Sequence, residues 1–323
     1  MCLFPRLIKN RRYLPNKKNK GVPPFCNDYR KLYVPVGCGV CIECMKQKAL
    51  GWKIRLSEEL KVNKYTYFVT FTFSPESLEN LLTETKLQEC NAIAGIAIRR
   101  FLERWRKKYK KSLRHWLITE LGQESSERIH LHGIIFSQFE ITKEEFENIW
   151  RYGNVSIGDY CNERTINYIA KYVTKIDTKH KNYKPEIFCS SGIGSNYTKR
   201  EIVQQIHTYQ GEQTKEFYRF SNGTKANLPI YYRNKLFTEE EREKLWCNKL
   251  DLNKRYVLGV EIENTNTLQG EEKYFRILKN AQEKNRVLGY GDNTNEWKEK
   301  KYNVTRRMLI KNIKCDLQAN HED

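Results

Sequence analysis

Two histidines one residue apart, His130 and His132, stand in the run RIHLHGIIF at residues 128–136. In a strand, alternate side chains share a face, so both imidazoles point one way while Ile129, Leu131 and Ile135 point the other. Two imidazoles on one face make a two-point clamp for a divalent cation. The run before it, LRHWLITEL at residues 113–121, brings Glu120, a hard oxygen donor. Two imidazoles and a carboxylate are three ligands, with open positions left for a phosphate oxygen. Alone, a His-x-His pair is equally a pair of polar strand residues.

Tyr168 and Tyr172, in the run YIAKYVTK, are one helical turn apart and share a face. Lys171 and Lys175 each follow a tyrosine by three residues and lie close to that face. A phenol titrates near about 10, so it needs positive charge or a base beside it to attack phosphorus at neutral pH. A lysine stabilises the negative charge that such an attack adds. The plain alternative, in a chain with 20 tyrosines, is two rings at the edge of a core. The run FVTFTF at residues 68–73 reads as a core strand able to lie beside the histidine strand and present threonine hydroxyls on one face.

These side chains need elements to hold them. Residues 45–62 have the spacing of an amphipathic helix, and the aromatic and β-branched run at residues 65–73 that of a buried strand, ended by Pro75. Residues 92–111 put Ile93, Ile96, Ala97, Phe101, Leu102 and Trp105 on one helical stripe. Its other face is nearly all cationic, and Arg99, Arg100, Arg104, Lys107 and Lys108 there are candidate phosphate contacts. Residues 113–121 and 128–136 read as antiparallel neighbours joined by the polar stretch GQESSE. Residues 143–151 and 164–176 read as helices, the second with Ile166, Ile169, Ala170 and Val173 as its apolar stripe. Beyond about residue 180, PEIFCSSGIGSNY reads as a loop, NLPIYYRNKLF as strand-like and EEEREKLWCNKL as a helix, ahead of a charged, helical or partly disordered extension.

The chain has 323 residues, enough for one large domain or two modest ones. Its formal net charge of +19 on a chain with 12% aromatic residues favours a folded, basic protein with a polyphosphate partner, nucleic acid before an acidic membrane surface. A mean hydropathy of −0.77, with no long apolar run, argues against an integral membrane protein. The start, MCLFPRLIKNRRYLP, lacks the apolar region of a secretory signal. Residues 1–36 show no periodicity and read as a loose basic arm. Of ten cysteines, Cys38, Cys41 and Cys44 cluster at two-residue spacing and most others are scattered, which suits a reducing compartment and a metal site better than a disulfide framework. Three thiolates fall one short of a tetrahedral zinc site.

The His-x-His strand preceded by Glu120-Leu121-Gly122, with the double-tyrosine helix after it, resembles the HUH endonuclease superfamily. More narrowly, the chain resembles the replication initiators of small single-stranded DNA phages, the microviruses, and especially the gokushovirus branch. Cys2 with Pro5, CGVCIEC from Cys38, Trp52, Arg55 with Glu59, FVTFTF, GIGSNY from Gly192 and LPIYYRNKLF from Leu228 also resemble that group. The likeness implies an α+β HUH fold, a central antiparallel sheet flanked by helices, with a Cys-rich basic arm over residues 1–45, a nicking-joining domain over 46–236 and a C-terminal extension over 237–323. It implies that His130, His132 and Glu120 hold Mg²⁺ or Mn²⁺. It also implies that Tyr168 and Tyr172, aided by Lys171 and Lys175, alternate in cutting an origin and closing a unit-length circle of single-stranded DNA. Cys2 becomes the first candidate for the fourth structural Zn²⁺ ligand, ahead of Cys26. Where the family often has an aromatic after the glutamate and a proline before the histidines, this chain has Leu121 and Ile129.

The setting so implied is the cytoplasm of a bacterial host, with host helicase and replication proteins as partners, since no Walker-type loop is present and no nucleotide cofactor is expected. A plasmid initiator, transposase or relaxase would carry the same tyrosine and histidine pieces. A non-catalytic nucleic-acid-binding protein would carry the charge alone, with its tyrosines stacking on bases.

Overall fold

Alternation sets the strands of this chain and apolar stripes set its helices. The computed structural model describes residues 2–122, 127–158, 161–177, 179–180, 183–292 and 299–319, with side chains in the last stretch as far as Leu309. Most of the GQESSE stretch lies outside them. In chain order come β1 (Arg6–Lys9), β2 (Tyr33–Val36), α1 (Ile42–Leu60), β3 (Tyr65–Phe71), α2 (Pro75–Thr85), α3 (Cys90–Tyr109), β4 (Arg114–Leu121) and β5 (Ile129–Ser137). There follow α4 (Lys143–Trp150), β6 (Val155–Gly158), α5 (Glu163–Thr174), β7 (Ile187–Cys189), α6 (Asn196–Lys199), α7 (Glu201–Ile206), β8 (Phe217–Arg219) and β9 (Lys225–Asn227). The chain goes on through α8 (Ile230–Leu236), α9 (Glu239–Asp251), β10 (Arg255–Val257), β11 (Val260–Ile262), α10 (Leu268–Val287) and α11 (Glu299–Ala319).

By contacts the chain divides into two units, one of residues 1–47, 204–217 and 230–323, the other of residues 48–203 and 218–229. This differs from a division at residues 45 and 236, because the N-terminal segment and the C-terminal helices share one unit. No helix among the described residues is long and apolar enough to cross a membrane.

The second unit is α+β and is built on a five-stranded antiparallel sheet of order β6-β3-β5-β4-β7. Period-two alternation in β3, β4 and β5 gives the sheet two apolar faces. Val69, Phe71, Leu117, Leu131 and Ile135 pack with Ile93, Ala97, Phe101 and Trp105 of α3. Trp116, Ile118, Ile134 and Phe136 pack with Leu56 of α1 and with Ile166, Ile169 and Val173 of α5. Gly133, next to His132, lets the central strands meet: a Cβ there would stand 2.1 Å from the Trp116 carbonyl oxygen.

The first unit corrects two expectations. Within the segment read as a loose arm, β1 pairs antiparallel with β2, from Arg6 opposite Val36 to Lys9 opposite Tyr33. Leu3 and Phe4 are buried with Cys41, Ile42, Val257, Ile262, Tyr274, Leu278 and Ala281 in one core. Asn285, fully buried, accepts the Ile42 N–H at 2.8 Å and so caps the start of α1. The strand-like segment NLPIYYRNKLF is instead the helix α8. Pro229 stands just before its first residue, where a missing N–H costs nothing, and Tyr232 is buried.

Candidate active site

Strand register gathers the predicted residues on one face of the sheet. Glu120 lies directly opposite His130, and His132 lies between Ile118 on one neighbour and Thr70 on the other. Residues paired across antiparallel strands share a face, so Glu120, His130, His132 and Thr70 all point toward the side that α5 covers. The helix starts at a capping box in which the Asn162 side chain accepts from Arg164 and Thr165 N–H groups. Its buried Ile166, Ile169 and Val173 hold it on the sheet, which fixes the direction of its tyrosines.

Tyr172 stacks on His132, the ring centroids 4.8 Å apart and the planes inclined by 16°. Its hydroxyl is 2.8 Å from that of Tyr168, which is about half exposed and meets Phe68 edge-on at 5.9 Å. The Thr70 hydroxyl lies 3.0 Å from His132 Nδ1, leaving Nε2 toward Glu120 at 2.9 Å. Lys175, just past the end of α5, pairs with the other oxygen of Glu120 and sits 5.8 Å over the Tyr172 ring. Lys171 is exposed and makes no ion pair with a described residue.

The electrostatics follow from these contacts. Burial alone would raise the Glu120 carboxyl, but hydrogen bonds from His132 and Lys175 outweigh it and hold the group below its ordinary value. Burial first, and then repulsion from His132, push His130 below the usual imidazole range, so at neutral pH its lone pair is free to bind a cation. Burial, the hydrogen bond with Tyr168 and the charge on Glu120 push the Tyr172 phenol well up. With only these groups present, Tyr172 stays protonated.

Both oxygens of Glu120 are engaged, and the rings of His130 and His132 are 6.4 Å apart between centroids. Among the described residues, only Cys2, Cys38, Cys41 and Cys44 bring three or more metal-ligating atoms within 4.8 Å of one another. The two imidazoles and the carboxylate fit a divalent cation by chemistry and by their shared face, once Lys175 and His132 yield the carboxylate.

The four cysteines form a centre of their own in the first unit. The Cys38–Cys44 and Cys2–Cys41 sulfur pairs are each 3.9 Å apart. Four bonds of about 2.3 Å in a tetrahedron place sulfurs about 3.8 Å apart. Backbone N–H groups of Phe4, Cys38 and Cys41 donate to the sulfurs of Cys2, Cys2 and Cys38 at 3.3, 3.1 and 3.3 Å, contacts that favour thiolate. This cluster can bind a structural metal such as zinc. Cys26 is outside it; its thiol donates to the Asp28 carbonyl at 3.1 Å. The nine described cysteines are all free of disulfides.

The predicted phosphate contacts are elsewhere. The apolar stripe of α3 packs on the sheet face opposite the histidines. Arg100 is forked onto Glu84, Arg104 donates to the Ile149 and Trp150 carbonyls, and Lys108 is 3.6 Å from Glu145. Arg99 and Lys107 are exposed and make no ion pair with a described residue. The strand of residues 68–73 does lie beside the histidine strand and presents the Thr70 hydroxyl to His132, whereas the contact of Lys175 with Glu120 escaped sequence reasoning. That second contact had no local signal.

Residues 66–177 match the family model of the replication-associated protein ORF2/gene-II protein. This is a family of rolling-circle replication initiators, and the match supports a role in starting DNA replication. It covers about a third of the chain and includes Thr70, Glu120, His130, His132 and both tyrosines. It likewise implies DNA as a partner. No curated protein and no solved structure matches the chain.

Proposed function

We propose that this protein initiates rolling-circle replication by nicking single-stranded DNA at an origin through a tyrosine–phosphate bond and by rejoining unit-length circles. The observation that carries the reading is Tyr172 stacked on His132, one hydrogen bond from Tyr168. One phenol oxygen attacks the scissile phosphorus, an O–P bond to tyrosine forms, and the P–O3′ bond breaks. The leaving oxygen takes a proton and remains as a 3′-hydroxyl primer. After a round of synthesis the second tyrosine cuts the regenerated origin, and the freed 3′-hydroxyl displaces the first tyrosine. Phosphodiester energy is kept throughout, so cutting and joining need no ATP.

His130, His132 and Glu120 would hold Mg²⁺ or Mn²⁺, which polarises the phosphate when bound. Lys175, over the Tyr172 ring, and Lys171 supply positive charge to the phenolate and the phosphate. Arg99 and Lys107 contribute general attraction to DNA. The fold is then of the HUH kind, the origin that of a microvirus, and the place of action the cytoplasm of a bacterial host whose helicase unwinds the template. A plasmid initiator, transposase or relaxase would use the same site on another DNA.

Incubation with a labelled pool of single-stranded oligonucleotides and Mn²⁺ tests the reading. A protein-linked product in a denaturing gel is expected. Salt-sensitive retention without any linked product would instead mark a binding protein without chemistry.

Thr70 gives a narrower expectation. A cation on His132 Nε2 requires the ring proton to sit on Nδ1, where the Thr70 hydroxyl, 3.0 Å away, can accept it and so favour that tautomer. Thr70→Val should weaken Mn²⁺ binding by about 10-fold, and Thr70→Ser should not. Calorimetric titration of the DNA-free protein measures both. Equal affinity in Thr70→Val and the original protein would remove Thr70 from this role.

A further inference from the structure

The loop from Leu14 to Phe25 in the first unit is braced from within and presents its charge and its ring outward. Asn16 Nδ2 donates to the Arg11 and Leu14 carbonyls at 2.7 and 2.9 Å, and Asn19 Nδ2 to those of Arg12 and Leu14 at 3.2 and 2.8 Å. Asn16 N donates to Asn19 Oδ1 at 2.9 Å, and Lys18 N to Asn16 Oδ1 at 2.8 Å. The chain turns at Lys20 and Gly21, with φ of +52° and +84°, and Pro23-Pro24 stiffens the approach to Phe25.

On this frame Lys17, Lys18 and Lys20 are all exposed. Lys18 meets Glu239 at 3.1 Å with its own side chain 85% exposed; Lys17 and Lys20 make no ion pair with a described residue. Phe25 is 92% exposed, the most of any large hydrophobic residue described, and Val22 is 76% exposed. A flexible basic tail would not need two asparagines to hold it.

We propose that this loop is a contact for single-stranded DNA separate from the tyrosine site, in which Phe25 stacks on a base and Lys17 and Lys20 meet phosphates. Lone cations favour a polyanion, and every base offers a face to a ring whatever the sequence. Lys20 and Phe25 are five residues apart, so their Cα atoms are no more than about 18 Å apart, a distance that a few nucleotides span. The proposal rests on the replication reading for its DNA partner and uses nothing of the tyrosine chemistry.

The test uses the full chain and a labelled thirty-nucleotide oligothymidylate, followed by fluorescence anisotropy at several salt concentrations. Phe25→Ala should weaken binding about 5- to 150-fold, the range that loss of one stacked base gives, and Phe25→Trp should restore it. Lys17→Ser with Lys20→Ser should reduce the slope of log affinity against log salt by about 1.4. The linked product formed on a short oligonucleotide at saturation should be unchanged in both variants. Binding by Phe25→Ala within twofold of the original protein overturns the proposal, and so does a Phe25→Ala defect confined to association with a replication protein. A linked product without any effect at Phe25 sinks the loop alone, whereas an effect at Phe25 without any linked product sinks the nuclease alone.

Discussion

Tyr168→Phe combined with Tyr172→Phe should abolish the proposed protein–DNA linkage, while each single change should leave the first cut at least in part. The geometry explains the difference. Both hydroxyls belong to one hydrogen-bonded pair on one helical face, so either can reach a phosphate held beside His132. Losing both removes both phenols from that face, and loss of a nucleophile costs at least about four orders of magnitude in rate. Phenylalanine keeps the Tyr172 ring on His132, so packing and DNA retention should survive the double change. His130→Ala with His132→Ala should likewise stop cutting and leave binding largely intact. Denaturing gels and anisotropy measure the two properties separately. Full cutting by the double phenylalanine variant would overturn the assignment of these tyrosines.

Cys41→Ser is expected to have the largest effect on stability. Cys41 is fully buried in the core of the first unit, and its sulfur is one of the four that match a zinc tetrahedron. A structural zinc site contributes on the order of 10 kcal/mol of folding free energy, comparable with the entire stability of an ordinary domain at about 5–15 kcal/mol. Native mass spectrometry should find one zinc per chain, absent after Cys41→Ser or strong chelation. Hydrogen exchange should then lose protection at Leu3, Phe4 and Tyr274 together. Cys189→Ser, at an exposed thiol, should change neither. An unaltered exchange pattern after chelation would mean that the four sulfurs are reduced thiols packed in a core.

Three of the five strands of the central sheet were legible because their signal is local; the four-residue β6 gave none, and the three-residue β7 lies in a segment read as a loop. Apolar, aromatic and β-branched runs through FVTFTF, LRHWLITEL and RIHLHGIIF mark three strands, and the alternation of a strand puts His130 and His132 on one face. The stripe Ile166, Ile169 and Val173 likewise marks α5 and aims its tyrosines. The illegible parts depend on distant partners. β1 and β2 are four residues each and separated by more than twenty, so neither shows a pattern until the other is present. In α8, Tyr231 and Tyr232 favour a strand by propensity, but burial of Tyr232 decides the outcome. Lys175 reaches Glu120 only because a helix end passes a strand end, and no spacing announces that.

The shared core of the first unit also sets an order of events during synthesis. All four cysteines precede residue 45, so they are synthesised, and can capture a metal, before the rest of this core. Tyr274, Leu278 and Ala281, which close the core around Cys2 and Cys41, emerge some 230 residues later, roughly ten to fifty seconds at ordinary elongation rates. In that interval Leu3 and Phe4 lack part of their apolar surroundings, and a nascent chain stalled before Tyr274 should be cleaved beside them by a protease that spares the finished protein.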